Sequence, residues 1–140
     1  MNQINRFDKV YAFLSNFYAV PITFCDYTFP TVENAFQAAK CRNIEDMEQF
    51  VHMTPGQAKR AGRRVKLIDG WDQKRIEIMT YLVTQKFTQH PELKAKLLAT
   101  GNAELIEGNT WHDHFWGVCN GRGENHLGRI LMMVRNNLKG

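Results

Sequence analysis

Long apolar runs are missing from this 140-residue chain. None approaches the ~20 residues that a membrane-spanning helix needs, so no membrane anchor is expected. The opening Met1-Asn2-Gln3-Ile4-Asn5-Arg6 lacks the apolar core of a signal peptide, which points to the cytoplasm. Cysteine is scarce: Cys25, Cys41 and Cys119 are odd in number and far apart, with no CxxC pair. A disulfide framework and a thiolate zinc site are therefore not expected, and the thiols read as scattered and reduced. No GxSxG elbow, HExxH pair or Gly-Lys-Ser/Thr phosphate loop occurs. Repeats, linkers and low-complexity stretches are absent too.

What remains is an ordinary globular composition. Hydrophobic residues make up 44% and charged residues 23%, which excludes disorder. The length suits one domain over residues 1–140, burying roughly two thirds of its unfolded surface. The 18 basic residues outnumber the 14 acidic ones, a net charge of +4. An anionic partner would suit that balance: a nucleic acid, a nucleotide or a sugar phosphate.

Hydropathy patterning predicts strands first and helices after. Residues 7–13 read as a β-prone stretch. Ile22-Thr23-Phe24 and Tyr27-Thr28-Phe29 flank Cys25-Asp26 as a hairpin, although the turn lacks glycine. Thr31 is placed to cap a helix running to about residue 40. Further helices are expected over 44–51, 56–64 (after Thr54-Pro55), 71–89, 91–99 and 126–138, with a short strand at 103–106. On the longest helix Ile76, Met79, Val83 and Phe87 recur at inward spacing, with Leu82 beside them. On the last, Leu127, Ile130, Leu131 and Val134 do. The fold class is α+β with helix in excess.

Three segments carry residues that a packed core does not require. In Phe13-Leu14-Ser15-Asn16-Phe17-Tyr18, Ser15 and Asn16 would hold a turn or bind a sugar hydroxyl. In the helix after Pro30, Val32, Ala35, Phe36 and Ala39 form the inward stripe. Glu33, Gln37 and Lys40 form a second stripe about 110° round, at the edge of the core. That places a carboxylate, an amide and an amine along a cleft wall; a solvated ladder is the commoner source of such spacing.

The third segment runs from Trp111 to Gly128. Asp113 sits among bulky aromatics, where a carboxylate suits general acid–base work. Trp116 offers a face for a base or sugar. Gly121-Arg122-Gly123 precedes a helix, where backbone N–H groups approach phosphate and Arg122 adds charge; a plain turn and cap is an equal reading. His112 and His114 lack a third metal ligand.

In order, the segments Ser15-Asn16-Phe17, residues 30–40, Trp71, Lys86-Phe87, Leu97-Leu98-Ala99-Thr100, Asp113-His114-Phe115-Trp116-Gly117 and Gly123-Glu124-Asn125-His126-Leu127-Gly128 resemble the YbiA-like NADAR family over residues 8–138. The chain departs from the family at Asn34, where His or Tyr is common, and at Val118-Cys119-Asn120, where Asp-Gly-Gly is. The resemblance implies a compact, helix-rich α+β domain with a small N-terminal β-sheet. It implies an N-glycosidase cleaving the ribose C1–N bond of a phosphorylated, ribosylated base. That base is either an ADP-ribosylated guanine in DNA or RNA or a ribosylamino-pyrimidine phosphate of riboflavin synthesis. Breaking C1–N builds positive charge on the ribose, which a carboxylate stabilises. Glu33 and Asp113 are the expected carboxylates. Lys40 would pair with phosphate or a carboxylate, or attack C1 of the opened sugar as a neutral amine to form a Schiff base. Trp116, Gly117 and Trp71 would pack on the base or ribose. Asn16 and Asn125 would position sugar hydroxyls, and Ser15, Phe17 and Gln37 would also line the substrate site. Gly121, Arg122 and Gly123 would hold phosphate. No metal or redox cofactor is implied. The competing class is a non-catalytic ADP-ribose or nucleic-acid binding module.

Overall fold

In the computed structural model, which describes residues 2–140, the elements run in this order: β1 (Gln3–Ile4), a 3-10 helix (Lys9–Leu14), β2 (Ile22–Phe24), β3 (Tyr27–Phe29), α1 (Val32–Ala38), α2 (Ile44–Met47), a 3-10 helix (Glu48–His52), α3 (Pro55–Ala61), α4 (Trp71–Gln89), α5 (Pro91–Ala99), β4 (Glu104–Leu105) and α6 (His126–Leu138). The α+β class and the excess of helix are as expected. No described helix is long and apolar enough to cross a membrane. The chain divides into two units, Asn16–Lys86 and residues up to Ser15 with Phe87–Gly140.

In the Asn16–Lys86 unit, β2 and β3 pair antiparallel with Ile22 opposite Phe29 and Phe24 opposite Tyr27. Cys25 and Asp26 have φ of 50° and 69°. Two left-handed residues give the turn the twist of its strands, a task usually left to Asn-Gly. Thr31 caps α1, its hydroxyl oxygen accepting from Asn34 N–H. The helix ends at Ala38, two residues short of expectation, because the N–H groups of Lys40 and Cys41 tighten onto carbonyls three residues back. Every residue of α1 is buried, not one stripe only. Asn34 explains part of that. Its side-chain Nδ2 donates to the carbonyls of Phe50 and Met53, each at 2.8 Å, and its Oδ1 accepts from Thr31 Oγ1 at 2.6 Å. With its hydrogen-bonding capacity engaged, the amide is tolerated in the core.

Two further helices differ in extent from the sequence reading. The helix expected over 44–51 is a four-residue α2 followed by a 3-10 turn. The helix expected over 56–64 opens at Pro55 behind a reciprocal Thr54–Gln57 capping box and stops at Gly62. Helix α4 has the expected bounds, but Ile76 is exposed while Met79, Leu82, Val83, Lys86 and Phe87 are buried. The buried arc centres on Met79 and Lys86, seven residues apart, and Ile76 lies on the same face, so its exposure comes from its place along the helix and not from its angle.

In the other unit, the expected strand over 7–13 is a 3-10 helix. Phe13 and Leu14 are consecutive and both buried, which a strand with one face on the core does not do because it sends neighbours to opposite faces. Phe13 meets Phe87 edge-on at 6.5 Å. β1 pairs in parallel with β4, Ile4 against Leu105. The strands therefore form two separate pairs, β1–β4 and β2–β3, rather than one N-terminal sheet. The α6 stripe buries Leu127, Ile130, Leu131 and Val134 as expected, together with Arg135, which donates to Thr100 Oγ1 at 2.9 Å.

Candidate active site

The stripe on α1 becomes a cluster of opposite charges. Glu33 is anchored at its backbone, its N–H donating to the Asn16 carbonyl at 3.0 Å. Its carboxylate Oε2 accepts from Gln37 Nε2 at 2.6 Å, a short charge-assisted bond one helical turn along. Both side chains are buried. Lys40, just past the helix end, is half-buried. Burial pulls its amine below the usual lysine range; the Glu33 charge opposes this, while Arg63 and Arg75 reinforce it. The Lys40 amine lies 5.9 Å from the centre of the Trp71 ring, and Trp71 packs against Phe36 at 5.2 Å. Lys40 therefore feels one carboxylate and two guanidinium groups, an excess of positive charge, and its own amine faces the Trp71 indole. Such a site suits a phosphorylated ligand with a flat ring.

Arg63 and Arg75 were not among the expected residues. One signal was available for Arg75, which stands four residues after Trp71 on the same face of α4. Arg63 follows the end of α3, where no periodicity reaches.

Asn16 holds its place by backbone and side chain, its Nδ2 lying 3.5 Å from Met79 Sδ. Phe17 beside it is 43% exposed. Ser15 belongs to the other unit, where its N–H closes the 3-10 helix on the Ala12 carbonyl. The structure thus brings Glu33, Gln37, Lys40 and Trp71 together, with Asn16 at the foot of α1.

The remaining expected residues lie in the unit that contains the 110–125 loop, and most are engaged in building it. Asp113 Oδ1 accepts from the backbone N–H groups of Phe115 at 3.1 Å and Trp116 at 2.9 Å. Asn109 grips the same residue, donating to the Asp113 carbonyl and accepting from its N–H. Trp116 stacks edge-on against Phe115 at 4.8 Å. Gly117 is a packing necessity: a Cβ there would stand 2.1 Å from the Glu107 carbonyl oxygen. Asn125 clamps β4 to α6, accepting from Glu107 N–H and donating to the Leu105 carbonyl, each at 3.0 Å.

The start of α6 does not present free donors. The N–H groups of Glu124, Asn125, His126 and Leu127 go to the carbonyls of His114, Gly117, Phe115 and Trp116. The N–H of Arg122 goes to Cys119, in the turn that carries Gly121 and Gly123. The loop carbonyls thus cap the helix, which withdraws most of the donors on which a phosphate-binding role would rest. The Arg122 side chain is exposed. His114 Nδ1 is 2.9 Å from the Arg122 carbonyl. Among the described residues no three His, Cys, Asp or Glu side chains converge as a metal set.

Asp113 Oδ1 holds its own loop, and this use of the carboxylate separates from a chemical one by mutation. Asp113→Asn keeps an acceptor oxygen and should retain most turnover. Asp113→Ala strips two N–H groups of their partner and should cost about 1–2 kcal/mol of stability. Denaturant midpoints and initial rates of both variants check this. A folded Asp113→Asn without turnover would instead make the carboxylate a chemical group.

The chain is similar to known proteins over most of its length. The family model for the NADAR domain matches residues 4–139. An N-glycosidase YbiA from Shigella boydii is 41% identical over 132 residues, covering 91% of this chain and 82% of that protein. A riboflavin biosynthesis protein from Vibrio vulnificus is 38% identical over 136 residues, covering 94% of this chain. The chain spans only 37% of that protein's length. The NMR structure of the E. coli protein YbiA superposes with a TM-score of 0.86 at 36% identity, covering 99% of this chain and 87% of that one.

Proposed function

We infer, of a chain that belongs to the NADAR domain family and whose curated relatives are N-glycosidases, hydrolases of N-glycosyl bonds, that it cleaves the ribose C1–N bond of a phosphorylated, ribosylated base. The observation that carries the reading is the Glu33 carboxylate, fixed at 2.6 Å by Gln37 and close enough to Lys40 to favour its charged form. As C1–N breaks, positive charge develops on the ribose ring. A fixed carboxylate beneath it stabilises that charge and steers the attacking water, whose oxygen joins C1 while the base leaves with a proton. Lys40, Arg63 and Arg75 supply the charge for phosphate, and Trp71 supplies a face for the base. The name of the Vibrio relative supports a riboflavin-pathway intermediate as the base donor.

Two substrates tested side by side discriminate the branches. The protein is incubated with a ribosylamino-pyrimidine phosphate and, separately, with an ADP-ribosylated guanine oligonucleotide, and the products are followed by mass spectrometry. Free base from the first is the expected result. ADP-ribose from the second would move the chain to the nucleic-acid branch. Inertness toward both, with binding of ADP-ribose by calorimetry, would leave a binding module. A sugar adduct trapped by borohydride on the wild type and absent from Lys40→Arg would reassign Lys40 to attack on C1.

A further inference from the structure

We propose that Gly62 is a positioning residue of this site: its missing Cβ leaves the room in which the Gln37 carboxamide sits to hold the Glu33 carboxylate. This rests on the role given to Glu33 above. Three observations meet at one point. Gln37 Nε2 is committed to Glu33 Oε2 at 2.6 Å. Its other end, Oε1, is buried and finds no hydrogen-bond donor among the described residues. That same oxygen lies against Gly62, where a Cβ would stand 1.9 Å from it and 2.7 Å from the amide carbon.

Packing of α1 against α3 brings the two residues together. A buried carbonyl oxygen without a donor is a cost that native structures keep rare. Here it accompanies a short bond to a buried carboxylate, the pattern expected where local rules yield to a functional site. Gly62 is not needed for its backbone. Its φ is −61°, an ordinary helical value at the end of α3 that any residue adopts. Its N–H closes onto the Ala58 carbonyl, as alanine's would. What glycine contributes is the absent methyl group.

Alanine at position 62 therefore makes a specific demand. The new Cβ meets the far end of a flexible side chain, so Gln37 swings away and the backbone stays. Glu33 loses its holder while α1 and α3 remain folded. Geometric slips of about 1 Å at a reacting group cost up to roughly 10²-fold in rate. We expect Gly62→Ala to lower kcat roughly ten- to hundredfold with KM changed by less than about threefold, because phosphate and base contacts are untouched. Gln37→Ala should give the same loss. The double variant should be no slower than Gln37→Ala alone, since with the carboxamide gone the added methyl has nothing to displace.

The assay uses the full-length protein and whichever of the two substrates above the wild type cleaves, with Glu33→Gln measured beside the others. Equal, non-additive loss of kcat in Gly62→Ala and Gln37→Ala is the expected result. Should Gly62→Ala fail to fold while Gly62→Ala/Gln37→Ala folds, the clash is shown by rescue and the proposal stands. Wild-type kcat in Gly62→Ala with an inactive Glu33→Gln overturns the proposal alone. A multiplicative loss in the double variant also overturns it, as two independent effects. Full turnover in Glu33→Gln, or no cleavage of either substrate by the wild type, overturns the reading of Glu33 and this inference with it.

Discussion

Replacing Lys86 with methionine should stabilise the protein at pH 7 and flatten its stability between pH 7 and 10. Lys86 sits at the centre of the buried arc of α4 and is 1% exposed. Its amine lies 5.6 Å from the centre of the Tyr18 ring, and burial pushes its pKa down to about 7. In the unfolded chain the same amine titrates near 10.4. Between those values the unfolded state binds the extra proton, so stability rises with pH, by up to about 1.4 kcal/mol per unit. Below about pH 7 both states are protonated, the slope vanishes, and the full penalty of a buried cation remains. Over the whole window the difference is several kcal/mol. Methionine has nearly the same length, no charge and no titration. Urea midpoints at pH 7 and 9.5 should converge in Lys86→Met and diverge in the wild type. Parallel pH dependence in the two proteins would remove Lys86 as the cause.

The second large effect is on turnover. Glu33→Gln should lower kcat by roughly 10²–10⁴-fold, the range that a positioned acid–base or charge-stabilising group supplies. The amide has the shape of the acid and can still hydrogen-bond Gln37, so α1 should keep its packing and the denaturant midpoint should stay within about 1 kcal/mol. Loss of rate without loss of fold is therefore the signature. An unchanged rate would move the chemistry to another residue.

Much of this arrangement was legible from periodicity. Helices 71–89, 91–99 and 126–138 were placed to the residue, because each has Pro, Gly or Asn at its edges and a clear apolar spacing. The Glu33–Gln37–Lys40 line was legible as a stripe, and the structure turns it into a connected cluster. Its depth was not legible. Periodicity ranks residues by hydropathy, so it sets Asn34, Lys86 and Arg135 outside, whereas their partners lie far along the chain. Lys86 had a local signal nonetheless, three residues after Val83 and four after Leu82, at the middle of the inward face. The 7–13 segment failed for the opposite reason. Aromatic content suggested a strand, yet the adjacent buried pair Phe13-Leu14 suits a helical turn better than a strand with one covered face. In the 110–125 loop the residue types were noticed and their employment was not. Asp113 commits one carboxylate oxygen, and Asn125 its amide oxygen, to backbone N–H groups of their own unit, bonds that sequence patterning does not show. Gly62 gave no signal at all, since a glycine kept for its lack of a methyl group resembles any glycine at a helix end.

One measurement bears most directly on the central claim. With protein in excess over the phosphorylated ribosyl base, the release of free base is followed by mass spectrometry in a single turnover. Complete release in one first-order phase by the wild type, and none by Glu33→Gln on the same timescale, is the predicted result. Tight binding of the substrate by the wild type with no base released would contradict the account and leave this chain a binder of ribosylated phosphates.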